Sequence, residues 1–393
     1  MRAKPLNGIK VLDLSRLLPG ALCTQHLADM GADVLKIEDP GLGDYSRWIK
    51  PLIKVHSAFF LTVSRNKRSM KLDLKKPEGK EVFFKLASDA DVVFESFRPG
   101  VTDRLGIGYE DILKINPRVV YCSLSGYGQD GPYRERAGHD VNYCSYAGVT
   151  DQTGEWQGPP ALLNFQIADL AGGSLSSVMG ILAALVDQQR TNQGRFVDVS
   201  MTDCTLAHAV IPLARMEIED EPRARGDDYL TGGIPSYGIY ETSDGRHMSL
   251  GALEPKFWDA FCAGINRPDL AGRGETWGDD GRAIRAELAN IFKSENQGYW
   301  IDFAERVDCC MAPVLTLRES MENEQLQARG MFVTDSQPTD GAVTQFAFPI
   351  KFSDFEFSID RPAPGHGEHT NEVLEALGYD NGAIERLRQM EVV

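Results

Sequence analysis

Long apolar runs are missing from the 393-residue chain, and no stretch approaches the roughly 20 apolar residues that span a membrane. Its first residues, MRAKPLNGIKVLDLS, also lack the apolar core of a signal peptide. Both absences predict a cytoplasmic protein, with an organelle address such as peroxisomal import as the alternative.

Positive charge is scarce as well, because 41 Lys and Arg residues oppose 57 Asp and Glu residues and leave a net charge of −16. Nucleic acids and anionic membranes repel such a chain, so neither is an expected partner, and an anionic ligand needs a local basic patch. No C-x-x-C pair and no histidine at ligand spacing accompanies the cysteines, so no metal site is predicted and the thiols are expected to be reduced and mostly buried. The seven cysteines stand at positions 23, 122, 144, 204, 262, 309 and 310.

Strand-like and helix-like patterns alternate in the first half of the chain. IKVLDLS (9–15), GALCTQHLADMG (20–31) and ADVLKIED (32–39) make a βαβ unit. The Gly-x-Gly-x-x-Gly turn of a dinucleotide site is missing after the first strand, so neither a nicotinamide nor a flavin cofactor is expected. The pattern predicts an α/β domain with a largely parallel sheet, whose further strands lie at 91–97, 118–126 and 195–201 and whose further helices include 78–88 and 172–188.

The chain length predicts about two domains. The first is assigned to residues 1–225. From about 226 the pattern changes to two strands around a Ser-Asp-Gly turn followed by helical stretches, which predicts a smaller α+β domain over 226–320. The segment 321–393 is irregular and rich in Pro and Gly, and it ends in two predicted short helices.

Two basic segments stand out in this acidic chain. Arg98 and Arg104 in SFRPGVTDRLG follow the strand that ends near Phe97, and ligands of open α/β sheets bind beyond the carboxyl ends of the strands. A denser patch lies in SRNKRSMKLDLKK (64–76); it suits phosphate groups, and the alternative is a solvated loop and strand edge. Its cations are Arg65, Lys67, Arg68, Lys71, Lys75 and Lys76.

Three side chains stand at positions suited to acid–base chemistry. His139, in AGHDVNY, lies between turn residues and a helix-like segment. Asp169 stands just ahead of an apolar helical stretch, where free N–H groups and the helix dipole stabilise an ionised carboxylate. Glu254 precedes Pro255, which fits the first position of a helix. The alternatives are structural: a hydrogen-bonded histidine and two plain helix caps.

Six segments occur in the order typical of one family. They are NGIKVLDLSRLLPGALCTQHLADMGADVLKIE, RNKRSMKLDLKKPEGKE, FRPGVTDRLGIGYEDI, LSGYGQDGPYRERAGHDVNY, QGRFVDVSM and GEHTNEVLEALGY. The chain thereby resembles the family III (CaiB/BaiF) coenzyme A transferases, a group that includes formyl-CoA transferase, carnitine CoA-transferases and α-methylacyl-CoA racemase. The resemblance covers essentially the whole chain.

The resemblance implies a large α/β domain of Rossmann-like topology that binds coenzyme A, and a small α+β domain. It also implies an interlocked homodimer, with the C-terminal segment returning to the large domain and Glu254 meeting His139 of the other chain. Coenzyme A would enter as part of the substrate, and no prosthetic group is expected. The implied coenzyme contacts are Leu72, Lys75, Phe97 and Arg104, together with Arg65 and Arg98 of the same basic segments.

Within the family, His139, Asp169 and Glu254 resemble the racemase branch, whereas formyl-CoA transferase has a Tyr-Glu pair at His139–Asp140. Racemisation next to a thioester requires a base and an acid on opposite faces of the carbon, and a histidine exchanges protons near neutral pH. His139 and Asp169 would act in these roles, Glu254 would orient the ring, and backbone N–H groups near Asp140 would bind the enolate oxygen.

Two alternatives accompany the racemase interpretation. In a CoA-transferase, Asp169 attacks the thioester and carries CoA between two acids. In a non-catalytic CoA-binding subunit, neither reaction occurs. Two positions depart from the family pattern. Asp39 stands where relatives often have an arginine that contacts the adenine, so this contact would pass to Lys36 or Arg47. Thr231 replaces an aspartate of the racemase pattern.

Overall fold

The first six strands of the protein form a fully parallel sheet. They are β1 (Lys10–Asp13), β2 (Asp33–Glu38), β3 (Lys67–Lys71), β4 (Val92–Glu95), β5 (Val120–Ser125) and β6 (Arg195–Ser200). Their order is β3-β2-β1-β4-β5-β6, with Leu12 of β1 beside Leu35 of β2 and Val93 of β4. The predicted parallel α/β sheet is confirmed, and the order reverses between β1 and β4 as in doubly wound folds.

The protein, a computed structural model, is described over residues 3–393, which divide into two units. The first unit holds the chain up to Ala147, Asn164–His208 and Gln325–Val393, and the second holds Gly148–Leu163 and Ala209–Glu324. The predicted boundary at 225/226 therefore falls inside the second unit, which begins earlier and includes a short separate segment.

Helices connect the strands in both units. The α-helices are α1 (Leu17–Asp29), α2 (Ala58–Thr62), α3 (Pro77–Ala87), α4 (Val101–Leu105), α5 (Tyr109–Leu113), α6 (Asp140–Tyr146), α7 (Val149–Gln152), α8 (Ser176–Thr191), α9 (Met201–Leu206), α10 (Val210–Glu219), α11 (Pro255–Gly264), α12 (Gly278–Phe292), α13 (Gln297–Arg306), α14 (Leu317–Glu322), α15 (Glu324–Ala328), α16 (Thr370–Ala376) and α17 (Asn381–Gln389). A π-helix, Ala168–Leu175, runs directly into α8, and short 3-10 helices occupy Tyr45–Trp48 and Pro268–Leu270.

The core of the first unit includes side chains from the end of the chain. Leu374 of α16, Leu387 of α17 and Val392 are buried with Val82 and Phe83 of α3. The backbone N–H of Asp73 donates to the carbonyl of Val392 at 2.8 Å. The C-terminal segment thus closes the core beside the sheet, and its two helices fall where the sequence predicts them.

The second unit is built on an antiparallel sheet, β7 (Tyr237–Glu241), β8 (His247–Gly251) and β9 (Met311–Pro313), in that order. Its core is aromatic, with Trp258, Phe261 and Phe292 buried beneath the sheet. The hairpin and the two following helices match the sequence patterns.

One element of the first unit contradicts the sequence prediction. The segment after residue 320 was expected to be irregular, yet β10 (Phe332–Gln337) and β11 (Gly341–Phe346) form an antiparallel hairpin. Gly341, with a φ of 84°, ends the tight Asp-Gly turn between them. The polar residues that alternate along both strands obscured the pattern.

The continuous helix Ala168–Thr191 is long and apolar enough to cross a membrane by length and composition, with a hydropathy of 1.6. The helix predicted at 172–188 lies inside it, but no stretch of membrane-spanning length was expected from the sequence. One such helix is weak evidence for a membrane span, because a core helix of a soluble protein has the same length and composition, and 44% of this window is buried inside the protein.

Candidate active site

A cleft of about 700 Å³ opens in the first unit beyond the carboxyl ends of β1, β4 and β5. This is the point at which the strand order reverses, where open α/β sheets bind their ligands. The side chains that line it include His139 and Asp169, an aromatic ring and several cations; the ring is Phe97 and the cations include Arg16, Arg98 and Arg134.

His139 occupies the N-cap position of α6 and has extended backbone. Its backbone N–H donates to Oδ1 of Asn142 at 3.0 Å, which fixes the start of the helix. Behind it, the Tyr143 hydroxyl donates to the carbonyl of Gly138 at 2.6 Å. Hydrogen bonds within AGHDVNY therefore hold the backbone at the start of α6, while the His139 side chain is exposed at the cleft.

Asp169 lies inside the first turn of the π-helix rather than ahead of it, as the sequence suggested. The turn is capped by Asp140, whose Oδ1 accepts from the N–H of Ala168 at 2.8 Å and of Asp169 at 3.1 Å. Asp140 thus positions Asp169 through the backbone. The structural alternative, in which Asp169 is a plain helix cap, is therefore wrong, because Asp140 caps this helix.

The π-helix depends on close packing at two glycines. A Cβ on Gly172 would lie 2.5 Å from Oγ1 of Thr205, and one on Gly173 would lie 3.0 Å from Cβ of Pro19. Larger residues would push this segment away from α1 and α9. Wide helical turns of this kind occur frequently at functional sites.

The electrostatic environment of Asp169 differs from the expectation. The free N–H groups of the helix were expected to favour the ionised carboxylate. Instead, burial and then the negative charge of Asp140 raise the pKa of Asp169 to about 7. Near neutral pH this carboxyl group is divided between its two protonation states, so it can both give and accept a proton.

Three arginines of the cleft were not identified in the sequence. Arg16 lies between two rings, 5.0 Å from the centroid of Tyr45 and 5.4 Å from that of Phe97. Arg134 and Arg136 come from the loop before α6. In the sequence they appear as the Arg-Glu-Arg run just before His139 and as a cation directly after the first predicted strand. Neither pattern indicates a cleft, because only the folded chain brings these arginines together.

The predicted coenzyme contacts fall into separate places. Phe97 and Arg98 line the cleft, and Arg104 of α4 points toward Gly100, two residues from Arg98. Lys75 is exposed, outside the set of cleft-lining residues. The side chain of Leu72 is 1% exposed within the core, so only its backbone is available to a ligand.

Arg65 does not fit its predicted role as a coenzyme contact. Its side chain is 3% exposed, with Nε and Nη2 bonded to the carboxylate of Asp29 at 3.1 and 2.7 Å. Nη1 donates to Oε1 of Gln345 and to the carbonyl of Phe346. Its donors are thus engaged inside the protein.

The rest of the basic segment is largely structural too. Lys67 is fully buried and donates to the carbonyl of Ala21 at 2.7 Å, while Arg68 pairs with Asp33 and Glu372. Most of these cations are therefore neither free to bind phosphate nor solvated in a loop, so neither of the two predicted roles applies to them. Edge strand β3 is held in place by them.

Lys36 and Arg47, the proposed substitutes for the adenine contact, are also unavailable. Lys36 is buried with its Nζ 2.8 Å from Oδ2 of Asp44, and Arg47 is buried with its Nη2 2.7 Å from Oε1 of Glu38. Asp39 instead lies 3.5 Å from Nη2 of Arg16. Arg16 is therefore the cation beside Asp39, the residue that stands where relatives often have an arginine.

Glu254 belongs to the second unit, where it stands at the N-cap of α11 ahead of Pro255. Its side chain is exposed and makes no capping hydrogen bond to the described helix. The Thr231 hydroxyl oxygen accepts a hydrogen bond from the backbone N–H of Asp228 at 3.0 Å, and Thr231 lines a separate cleft of about 910 Å³ within this unit. Glu254 thus stands directly before the helix that begins at Pro255, as predicted, but its carboxylate does not cap that helix.

All seven cysteines are free thiols, five of them buried. Over residues 3–393 no group of three or more His, Cys, Asp or Glu side chains could hold a metal ion.

Comparison with known proteins identifies the family. Residues 6–370 match the family described as CoA-transferase family III. The chain belongs to CoA-transferase family III.

Members with different reactions are equally similar to this family III protein. Alpha-methylacyl-CoA racemase of Homo sapiens is 34% identical over 99% of this chain and 97% of the relative. Succinyl-CoA:glutarate CoA-transferase of Mus musculus is 34% identical over 98% of this chain and 89% of the relative. A CaiB/BaiF family protein from Brucella suis has a similar structure, with a TM-score of 0.83 and 30% identity over 96% of this chain and 100% of that chain.

Proposed function

We propose that the protein is a racemase that inverts the α-carbon of a 2-methylacyl-CoA or a related 2-substituted acyl-CoA thioester. The observation that carries this proposal is the pairing of His139 with Asp169 in one cleft, with the pKa of Asp169 raised to about 7. A histidine and a carboxyl group that exchanges its proton near neutral pH together satisfy the requirement for an acid and a base at one carbon.

In the proposed reaction one group removes the α-proton, and the electron pair of the C–H bond moves into an enolate. The other group then returns a proton to the opposite face of the carbon. For one isomer His139 is the base and Asp169 the acid, and for the other isomer the roles are exchanged. The first N–H groups of α6, at Asp140, are donors without intrahelical partners and are assigned to the enolate oxygen.

We further propose a homodimer in which Glu254 of the partner orients His139. Two features support it: the Glu254 carboxylate makes no capping bond, and large apolar side chains are exposed on the single chain. Phe165 is 74% exposed, Met179 of α8 is 68% exposed and Ile218 of α10 is 85% exposed. Apolar surface of this kind is typical of interfaces between subunits.

Isotope exchange tests the racemase proposal. A single isomer of a 2-methylacyl-CoA, incubated in deuterated water without any acid acceptor, is expected to gain deuterium at the α-carbon and to lose optical purity. His139→Ala is expected to abolish exchange from at least one isomer. Absence of exchange together with CoA transfer to an added carboxylate would contradict the proposal.

CoA transfer is the second candidate function. It is supported by the 34% identity to a succinyl-CoA:glutarate CoA-transferase and by Asp169 itself, which could attack the thioester in its ionised form. A transferase is expected to tolerate His139→Ala far better than Asp169→Ala. A protein that binds CoA but performs neither reaction would be the non-catalytic subunit.

Complementation between inactive chains tests the dimer. His139→Ala and Glu254→Gln chains are co-expressed with different affinity tags, so that mixed dimers can be purified. If each site takes His139 from one chain and Glu254 from the other, a mixed dimer has one intact site and regains roughly half of the wild-type exchange. Mixed dimers as inactive as the parents would refute the shared site.

A further inference from the structure

The turn between β1 and α1 carries Arg16 into the cleft with a backbone conformation that residues other than glycine rarely adopt. Leu17, the residue after Arg16, has a φ of 61°, which lies in the left-handed region. Both residues line the cleft that also holds His139 and Asp169. Because such a backbone persists only where its surroundings hold it, the contacts of this turn identify the groups that place Arg16.

One buried ion pair holds the backbone on both sides of Arg16. Nζ of Lys36 donates to the carbonyl of Ser15 at 2.8 Å. Oδ1 of Asp44 accepts from the N–H of Leu17 at 3.2 Å. The two charged groups meet at 2.8 Å, between Nζ of Lys36 and Oδ2 of Asp44, and their side chains are 0% and 1% exposed. The residue before Arg16 and the residue after it are therefore fixed by the same pair.

Asp44 also holds the aromatic ring against which Arg16 lies. Its Oδ1 accepts from the N–H of Ser46 at 2.9 Å and caps the short 3-10 helix that begins at Tyr45. Nη1 of Arg16 donates to the hydroxyl of Tyr45 at 3.1 Å, and the guanidinium carbon lies 5.0 Å from the centroid of that ring. The backbone of Arg16 and the partner of its side chain thus depend on one carboxylate.

The Asp44 carboxylate meets donors on both of its oxygens. Oδ1 accepts from two backbone N–H groups, and Oδ2 faces the ammonium group of Lys36. Asparagine has a single side-chain oxygen and its NH₂ group only donates, so Asp44→Asn satisfies one side of this arrangement at most. A neutral residue of the same shape therefore releases either the turn or Lys36.

We propose that Lys36 and Asp44 are positioning residues for Arg16: the buried pair sets the turn that places the guanidinium at the cleft, and ligand affinity depends on the pair although neither side chain reaches the ligand. The proposal rests on the proposed function for the identity of the ligand, an acyl-CoA thioester. It assigns a role in binding to two charges that are closed to solvent. A pair that served the fold alone would leave the affinity unchanged.

A double-mutant cycle with Arg16 tests the positioning. It is measured as the Kd of coenzyme A in calorimetric titrations of the full-length protein, which require no turnover. Arg16→Ala is expected to raise the Kd roughly tenfold, and Asp44→Asn is expected to raise it roughly three- to tenfold. If the pair acts through Arg16, Asp44→Asn changes the Kd less than about twofold in the Arg16→Ala background.

The matched control is Asp29→Asn, which neutralises another buried carboxylate, the partner of Arg65 at 2.7 Å. Asp29 is not among the residues that line the cleft, so this variant is expected to lose stability and to keep the Kd within about twofold. Urea unfolding confirms that each titrated variant is folded. Should Asp44→Asn not fold, the combined change Lys36→Met with Asp44→Asn takes its place in the cycle, because it removes both charges of the pair together.

The failure of the positioning and the failure of the reaction give different results. Wild-type affinity in Arg16→Ala or in the folded pair variant would overturn the positioning and leave the racemase proposal standing. A loss of affinity that is equally large in the Arg16→Ala background would also overturn it, because the pair would then act elsewhere. A loss that disappears in that background, with no isotope exchange by the wild-type protein, would support the positioning and reject the reaction. A wild-type protein that binds no coenzyme A would overturn both.

Discussion

The charged groups around β2 and β3 differ from those of the cleft in their partners. Around the strands each buried cation meets a carboxylate: Arg65 binds Asp29, and Arg47 binds Glu38. In the cleft, Arg98 and Arg134 are exposed and form no ion pair within the described residues. We infer from this difference that a basic run is evidence for a ligand site only when its charges have no partners inside the protein.

The carboxyl groups of the two regions differ in the same way. Burial alone would raise the pKa of Glu38, but the hydrogen bond and charge of Arg47 outweigh it and hold the pKa at about 2. Asp169 experiences burial and the charge of Asp140 without a paired cation, and its pKa is about 7. The buried charged groups around β2 and β3 therefore form ion pairs, whereas Asp169 has no ion-pair partner among the described residues and lines the cleft, where a ligand can reach it.

The largest expected effect comes from replacing the unpaired acid. Asp169→Asn should lower the rate of isotope exchange about 10²–10⁴-fold, because the group that gives and accepts the proton is lost. Exchange into a single isomer of the acyl-CoA, followed by mass spectrometry, measures the loss. An Asn variant with wild-type exchange would remove Asp169 from the mechanism.

The same variant should be more stable than the wild type above neutral pH. Because the pKa of Asp169 is raised from 3.8 to about 7 in the folded protein, unfolding releases a proton within this range, and wild-type stability falls as the pH rises through it. Asn removes that penalty. Urea unfolding at pH 8 should show a gain of about 1–3 kcal/mol, discounted for the solvent that reaches this half-buried group, and no gain near pH 4.

Breaking a fixed pair should affect folding rather than chemistry. Arg65→Ala leaves Asp29 buried without its cation and should reduce the free energy of unfolding by about 3–5 kcal/mol. Denaturant unfolding measures the loss. Replacing both partners, as Arg65→Met with Asp29→Leu, should restore much of the stability; a single variant as stable as the wild type would refute the distinction between the two regions.

Arg16 tests the cleft side of the comparison with a smaller effect. Arg16→Ala should raise the KM for acyl-CoA about tenfold with little change in kcat, because we expect the guanidinium beside Tyr45 and Phe97 to bind the coenzyme and to act at a distance from the reacting carbon. Asp39→Asn should change KM in the opposite direction, since it releases Arg16 from its only described carboxylate contact, at 3.5 Å. Equal changes in kcat and KM would contradict this role.

The smallest expected effect concerns the charge beside Asp169. Asn at position 140 can still accept hydrogen bonds from Ala168 and Asp169, so Asp140→Asn removes the charge and keeps the cap. Because the negative charge of Asp140 raises the pKa of Asp169, the inflection of the exchange rate should move to lower pH. Asp140→Ala also removes the cap and should lower kcat. A pH profile identical to that of the wild type would exclude Asp140 from tuning Asp169.

The sequence predicted the elements that have strong local patterns. Buried strands such as β4 and β5 read as short apolar runs, and the β7–β8 hairpin follows from its Ser-Asp-Gly turn. The hairpin β10–β11 was missed because polar residues dominate both strands. The π-helix was missed because apolar periodicity does not distinguish a wide helical turn from an ordinary one.

The sequence identified those residues of the candidate site that lie within motifs, and it did not identify the others. His139 and Asp169 were found in the sequence, and the fold brings both to one cleft. Arg16 and Arg134 were missed, since they come from loops far apart in the chain. The role of Arg65 was misjudged because its partner Asp29 lies on α1, and only the tertiary structure joins them.

The return of the chain after residue 324 determines the order in which the protein can fold during synthesis. The apolar face of α3 is covered by α16, α17 and Val392, which are synthesised after the rest of the first unit and after the second unit. The second unit draws almost all of its residues from the chain between these parts, so it can fold while the first unit still exposes Val82 and Phe83. Nascent chains arrested before residue 370 should therefore expose this surface to chaperones, and the first unit should become resistant to proteases only once residues 370–393 have left the ribosome.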